Sequence, residues 1–234
     1  DKSSTFAVKM DRLSFIRNSN VRNFAKLLSA NIVAQVIGLI VYPILTRMYA
    51  PEDFGLMNLF LSISGILVIL STAEYYNAIV LPKKDTEGVW IAYLCTGILL
   101  LIVAATSISV FFSDEIAQVF NTPALANYYW LLPISILISG SWNILNYWYI
   151  RQKQYNPISY YQVSQNILSA GGKLGMGWGG VLQGGMIYSV VLAPLVSIIL
   201  VIIAGWRKVI PLFQFSWTNI CQQAVKYKNF PLYV

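Results

Sequence analysis

Residues 27–46 read LLSANIVAQVIGLIVYPILT, twenty consecutive positions without a charge. A hydrocarbon core about 30 Å thick is crossed by roughly 20 helical residues, so this stretch alone is long enough to span a bilayer. Comparable apolar runs recur at 54–80, 89–112, 128–150, 158–178 and 186–205, separated by short polar gaps. The composition agrees: of 234 residues, 57% are hydrophobic and 11% charged, against about 25% charged in soluble domains. The chain is therefore expected to be all-α, a polytopic membrane protein whose six transmembrane helices form one bundle. The run at 158–178 is the most polar of the six and leads into a glycine-rich stretch, 171–185, suited to close helix packing and a tight outer turn. A cleaved signal peptide does not explain the first run, because its apolar core is too long and 26 mostly polar residues come before it.

The net charge of +7 arises from 16 Lys+Arg against 9 Asp+Glu. With the amino terminus inside and the six runs alternating sides, fourteen of the sixteen basic residues fall on the cytoplasmic side. They are Lys2, Lys9, Arg12, Arg17, Arg22 and Lys26 in the amino-terminal arm, Lys83, Lys84, Arg151 and Lys153 in loops, and Arg207, Lys208, Lys226 and Lys228 after the last run. Arg47 and Lys173 remain on the outer half, where the loops carry Glu52, Asp53, Asp114 and Glu115. This bias follows the positive-inside rule, and it accounts for the basic balance through contact with anionic lipid rather than nucleic acid.

The chain divides into a basic cytoplasmic arm at 1–26, the bundle at 27–205, a cytoplasmic amphipathic linker at 206–229 and the start of a truncated seventh span at 230–234. In the linker Ser216 is placed to cap a short helix whose Trp217, Ile220, Cys221, Ala224 and Val225 share a face suited to the membrane surface. Met10 followed by basic residues reads as a native start, and the apolar close Phe230-Pro-Leu-Tyr-Val234 reads as an interrupted span. The expectation is thus a fragment of a longer protein.

Chemistry-bearing motifs are scarce. The sequence has no His and two distant cysteines, Cys95 and Cys221, which excludes the commonest general base and suggests neither a zinc site nor a disulfide framework. Phosphate-loop and nucleophile-elbow patterns are missing as well. No enzyme activity, metal or cofactor is expected.

Polar residues recur at helical spacing inside three runs. Asn31, Gln35, Gly38, Tyr42 and Thr46 line one face of the first, Ser135, Ser139, Trp142, Asn146 and Tyr149 one face of the fourth, and Gln162, Asn166, Ser169 and Lys173 one face of the fifth. Such stripes either form packing seams between helices or face a water-filled cavity; serines and glycines suit the first, amides the second. All three are expected to converge on one face of the bundle, whereas the third run, apolar around most of its circumference, is expected to face lipid. Glu74, the one acid inside a run, has Ser71 and Asn77 a turn to either side. It suits proton or cation binding, with a salt bridge or an interfacial position as the alternative. Lys173 and Arg47 are candidates for an anionic head group, although Arg47 also fits a snorkelling anchor.

Several segments carry a family resemblance. Pro43-Ile-Leu-Thr-Arg-Met-Tyr-Ala-Pro-Glu-Asp-Phe-Gly55, Glu74-Tyr-Tyr-Asn-Ala-Ile-Val-Leu-Pro-Lys-Lys84, Tyr147-Trp-Tyr-Ile-Arg-Gln-Lys153 and Tyr227-Lys-Asn-Phe-Pro-Leu-Tyr233 resemble segments of the Wzx-like polysaccharide flippases. The resemblance covers essentially the whole chain. It implies the first half of a transporter of twelve to fourteen helices, built from two bundles around a central cavity. The implied cargo is an undecaprenyl-diphosphate-linked oligosaccharide, flipped across the bacterial inner membrane by alternating access for O-antigen or exopolysaccharide assembly. Implied partners are membrane lipids, a polysaccharide polymerase and chain-length machinery. Arg47 and Glu74 match positions typical of the family motif. Asn31, Gln35, Trp142, Asn146, Tyr147, Gln162 and Asn166 would serve the sugars, Lys173 and Arg47 the diphosphate, and Glu74 with Asn77 the coupling ion. A drug or metabolite antiporter of the same superfamily, and a non-transporting six-span fragment or partner subunit, are the competing readings.

Overall fold

The computed structural model describes residues 19–181 and 184–209. All regular structure among the described residues is helical, with no strand. Six long helices follow one another: α1 (Ser19–Met48), α2 (Pro51–Thr72), α3 (Asp85–Ser109), α5 (Leu131–Arg151), α6 (Tyr155–Trp178) and α7 (Gly185–Val209). The short α4 (Ser113–Val119) and three 3-10 turns, Tyr75–Val80, Val110–Phe112 and Pro123–Tyr128, lie between them. Stretches within α1, α2 and α7, and one running from α3 through α4, are long and apolar enough to cross a membrane. With 21 and 24 residues, α5 and α6 have the length but carry the amides and hydroxyls that lower their hydropathy. The first residues of the linker, 206–209, continue α7, and 19–26 of the arm belong to α1; residues 1–18, the linker from 210 and the proposed seventh span lie outside the described residues.

Local chemistry sets the helix ends. Pro51 occupies the first turn of α2, where its missing N–H costs nothing. The Asp53 carboxylate accepts a hydrogen bond from the Ala50 amide at 3.1 Å, and with Glu52 it places negative charge at the positive end of the helix dipole. The far end of α2 departs from expectation. The apolar run continues to residue 80, but the α-helix stops at Thr72, and Ala73 and Glu74 adopt left-handed backbone with φ of 43° and 56°. Two such residues cost roughly 1–2 kcal/mol each. Burial of Tyr75, Ala78 and Ile79 against α3 and α5 opposes that cost.

Arg151 secures the same turn. Its Nε donates to Asp85 Oδ1 at 2.9 Å and its Nη1 to the Ile79 carbonyl at 2.7 Å, with 6% of its side chain exposed. Gly88 lies so close that a Cβ there would come within 3.0 Å of Arg151 Nε. The residue expected to act as a topology marker therefore binds the α2–α3 connection to the end of α5.

The core is organised around α5. Ile136, Ile144 and Trp148 pack with Ile79, Ala92, Cys95 and Leu99 in one cluster. Leu132, Ile138, Leu145 and Tyr149 join Leu45, Phe60, Met186 and Ile187 in another. Small residues permit the approach: Gly140 sits against Leu99, and the buried hydroxyls of Ser64 and Ser135 pair at 3.0 Å, both features of packing between membrane helices. One face of α3 is thus covered by α5, while Leu100, Leu101 and Ile108 on other faces remain exposed. On the other flank α6 lies between α1 and α7. The glycine-rich stretch closes that end, with Gly177 meeting Met48 and Tyr49, and Gly184, at φ 76°, seated on the Tyr128 ring.

Candidate functional site

Two of the three polar stripes meet. On α5 Ser139, Trp142, Asn143 and Asn146 follow i, i+3, i+4, i+7 spacing, and on α6 Ile158, Tyr161, Gln162 and Gln165 repeat it, so each set occupies one helix face. Together with Val68 of α2 and Pro194 of α7 they line a cavity of about 300 Å³, at the lower end of small-molecule site volumes. The Trp142 and Tyr161 rings stack at a centroid distance of 3.5 Å and 13° between planes. Their stack forms an aromatic wall, and Asn143, Asn146, Gln162 and Gln165 supply carboxamides. Asn146 Oδ1 is buried without a hydrogen-bond partner, a state that costs about 1–3 kcal/mol. A hydroxyl or amide donor that reached this oxygen would recover that cost.

The other expected site residues lie elsewhere. The α1 stripe does not join the cavity: Gln35, Gly38, Tyr42 and Thr46 are exposed and Asn31 is half-buried. The reason is on the adjoining face of α1, where Val41, Leu45 and Met48, with Tyr49 just past the helix end, pack into the core and leave the polar stripe beside them facing outward. Asn166 turns back on its own helix, its Nδ2 donating to the Gln162 carbonyl at 2.7 Å. Tyr147 faces the other side of α5 and meets Tyr76 at 4.9 Å.

Neither candidate cation lines the cavity. Arg47 is exposed at the end of α1. Lys173 is half-buried and follows Gln162 by eleven residues, roughly 16 Å of helix rise; its carbonyl accepts a bond from the Tyr49 hydroxyl at 2.7 Å. Glu74 and Asn77 do come together, Asn77 Nδ2 donating to Glu74 Oε2 at 3.3 Å. They do so at the left-handed turn after α2, not within a helix as the apolar run suggests.

Asn143, Tyr161 and Gln165 escaped the sequence reading. The signal was present: Asn143 precedes Asn146 by three residues and Gln165 follows Gln162 by three, so both widen the faces already marked. Among the described residues no three His, Cys, Asp or Glu side chains are grouped so as to hold a metal ion.

No curated protein and no solved structure matches the chain. A sequence family described as polysaccharide biosynthesis protein matches residues 44–228, a span that includes every residue lining the cavity. With helices apolar enough to cross a bilayer and most of its length matched, the chain is a membrane protein that belongs to the polysaccharide biosynthesis protein family.

Proposed function

We propose that the chain takes part in moving a lipid-linked oligosaccharide across the bacterial inner membrane, as a transporter rather than an enzyme and without a cofactor. The observation that carries this reading is the cavity walled by carboxamides and a Trp142–Tyr161 stack, in a chain of a polysaccharide family. Sugars present hydroxyls to amides and C–H faces to aromatic rings, while a polyprenyl tail is at home in the surrounding lipid. All six long helices cross the membrane in this reading, with the Arg151 end cytoplasmic, in line with the distribution of Lys and Arg. Access to the cavity alternates between the two sides. Glu74 and Asn77 are the pair proposed for the coupling ion, and polymerase and chain-length proteins receive the product for O-antigen or exopolysaccharide assembly.

A cationic drug is a poorer fit, because no carboxylate among the described residues lines the cavity. The deciding experiment deletes the gene in its host and measures surface polysaccharide together with the lipid-linked repeat unit on the cytoplasmic leaflet. Loss of the first with accumulation of the second, both reversed by the wild-type gene and not by an Asn146→Ala/Gln162→Ala double variant, is the expected result. Unchanged surface polysaccharide in the deletion strain would overturn the reading. Orientation has its own test: a cysteine at position 119 should label from outside and one at 85 only from inside.

A further inference from the structure

We infer that the cavity selects an uncharged sugar and excludes acidic sugars and the diphosphate, which is held elsewhere. The inference rests on the export reading and narrows its cargo. Six side chains carry it: Ser139, Trp142, Asn143, Asn146, Gln162 and Gln165, all neutral, in a cavity lined by no charged side chain among the described residues.

The nearest charges along α5 and α6 are out of play. Arg151, five residues beyond Asn146 on α5, has its Nε on Asp85 and its Nη1 on the Ile79 carbonyl. Lys173 lies roughly 12 Å along α6 from Gln165, the nearest lining residue. An anion entering this space therefore gives up part of its hydration without meeting a counter-charge from the lining, and that exchange is disfavoured. A neutral hydroxyl has the opposite experience. Carboxamides both donate and accept, the buried Asn146 Oδ1 lacks a donor, and the stacked rings offer an apolar wall to the C–H face of a pyranose. The same asymmetry, polar satisfaction without charge, separates a neutral glycan from its uronic-acid counterpart even when the lipid and diphosphate are identical.

Equilibrium binding by the chain reconstituted in lipid nanodiscs tests this directly. Two tritiated probes are compared, a polyprenyl diphosphate carrying a neutral disaccharide and the same molecule with one hexose replaced by the matching hexuronic acid. The neutral probe should bind at least fivefold more tightly. Asn146→Lys or Gln162→Arg should reduce that ratio at least fivefold by supplying the missing cation, and Gln162→Arg, at a half-buried position, serves if Asn146→Lys does not fold. A wild-type ratio under fivefold, a preference for the acidic probe, or a ratio that neither substitution reduces fivefold overturns the selectivity while leaving export intact. Binding of neither probe overturns the export reading and the selectivity with it.

Discussion

The polar stripes of α1 and α5 have the same spacing and opposite fates. Asn31, Gln35, Gly38, Tyr42 and Thr46 run along α1 at the same intervals as Ser135, Ser139, Trp142, Asn146 and Tyr149 along α5. The first is mostly exposed, whereas the second pairs Ser135 with Ser64, lines the cavity and ends in a fully buried Tyr149. What separates them is the rest of each helix. The apolar stripe of α1 is the one that packs, and it can pack on one side only. By contrast α5 is covered on several sides and buries polar and apolar faces together. Polar periodicity in a membrane helix thus marks a face, and the packing of the rest of the helix decides where that face looks.

The contrast should be largest for the aromatic members. Trp142→Ala removes the ring stacked on Tyr161 and should lower stability by about 2–4 kcal/mol, given its half-buried position, whereas Tyr42→Ala on α1 should cost less than about 1 kcal/mol. Thermal unfolding of the detergent-solubilised variants measures both, and equal losses would break the comparison. The glycines come next. Gly140→Ala drives a methyl into Leu99 and should destabilise by about 1–3 kcal/mol. At Gly38 a Cβ meets no atom within 4 Å, so Gly38→Ala should be neutral or stabilising by up to about 1 kcal/mol.

Third, Asn146→Ala removes one acceptor, a change of about 0.5–1.5 kcal/mol, and should weaken binding of the lipid-linked glycan several-fold. Gln35→Ala in α1 should leave that affinity unchanged, and an equal loss from both would place the α1 stripe in the site. The smallest effect is expected at Lys173. It lies off the cavity, so Lys173→Ala should shift the affinity of the neutral glycan less than twofold; a larger loss would extend the site along α6.

The helices themselves were legible because bilayer length is written in uninterrupted apolar runs, and all six runs contain a long helix. The break at Ala73–Glu74 was not. No glycine or proline marks it, and the run stays apolar through Val80, since Tyr75, Ala78 and Ile79 are buried in a helix or a turn alike. About half of the cavity could be read in advance. Trp142, Asn146 and Gln162 followed from spacing, but a line at i, i+4, i+7 is narrower than a face that lines a cavity, so Asn143, Tyr161 and Gln165 were passed over. Nor could spacing tell that Asn166 would bond to its own helix, or that the charges of Lys173 and Arg47 would lie away from the amides. Those outcomes depend on how α6 sits between α1 and α7, a matter of tertiary packing.

The contact between Gly88 and the Arg151 guanidinium has an evolutionary consequence. A side chain at 88 and a bound arginine at 151 compete for one volume, while Asp85 and the Ile79 carbonyl depend on that arginine for their bonds. Positions 88 and 151 are therefore expected to change together when the residue at 88 is larger than alanine. Among relatives, such a residue at the first should accompany a shorter or uncharged residue at the second, with the acid at 85 drifting once its partner is gone.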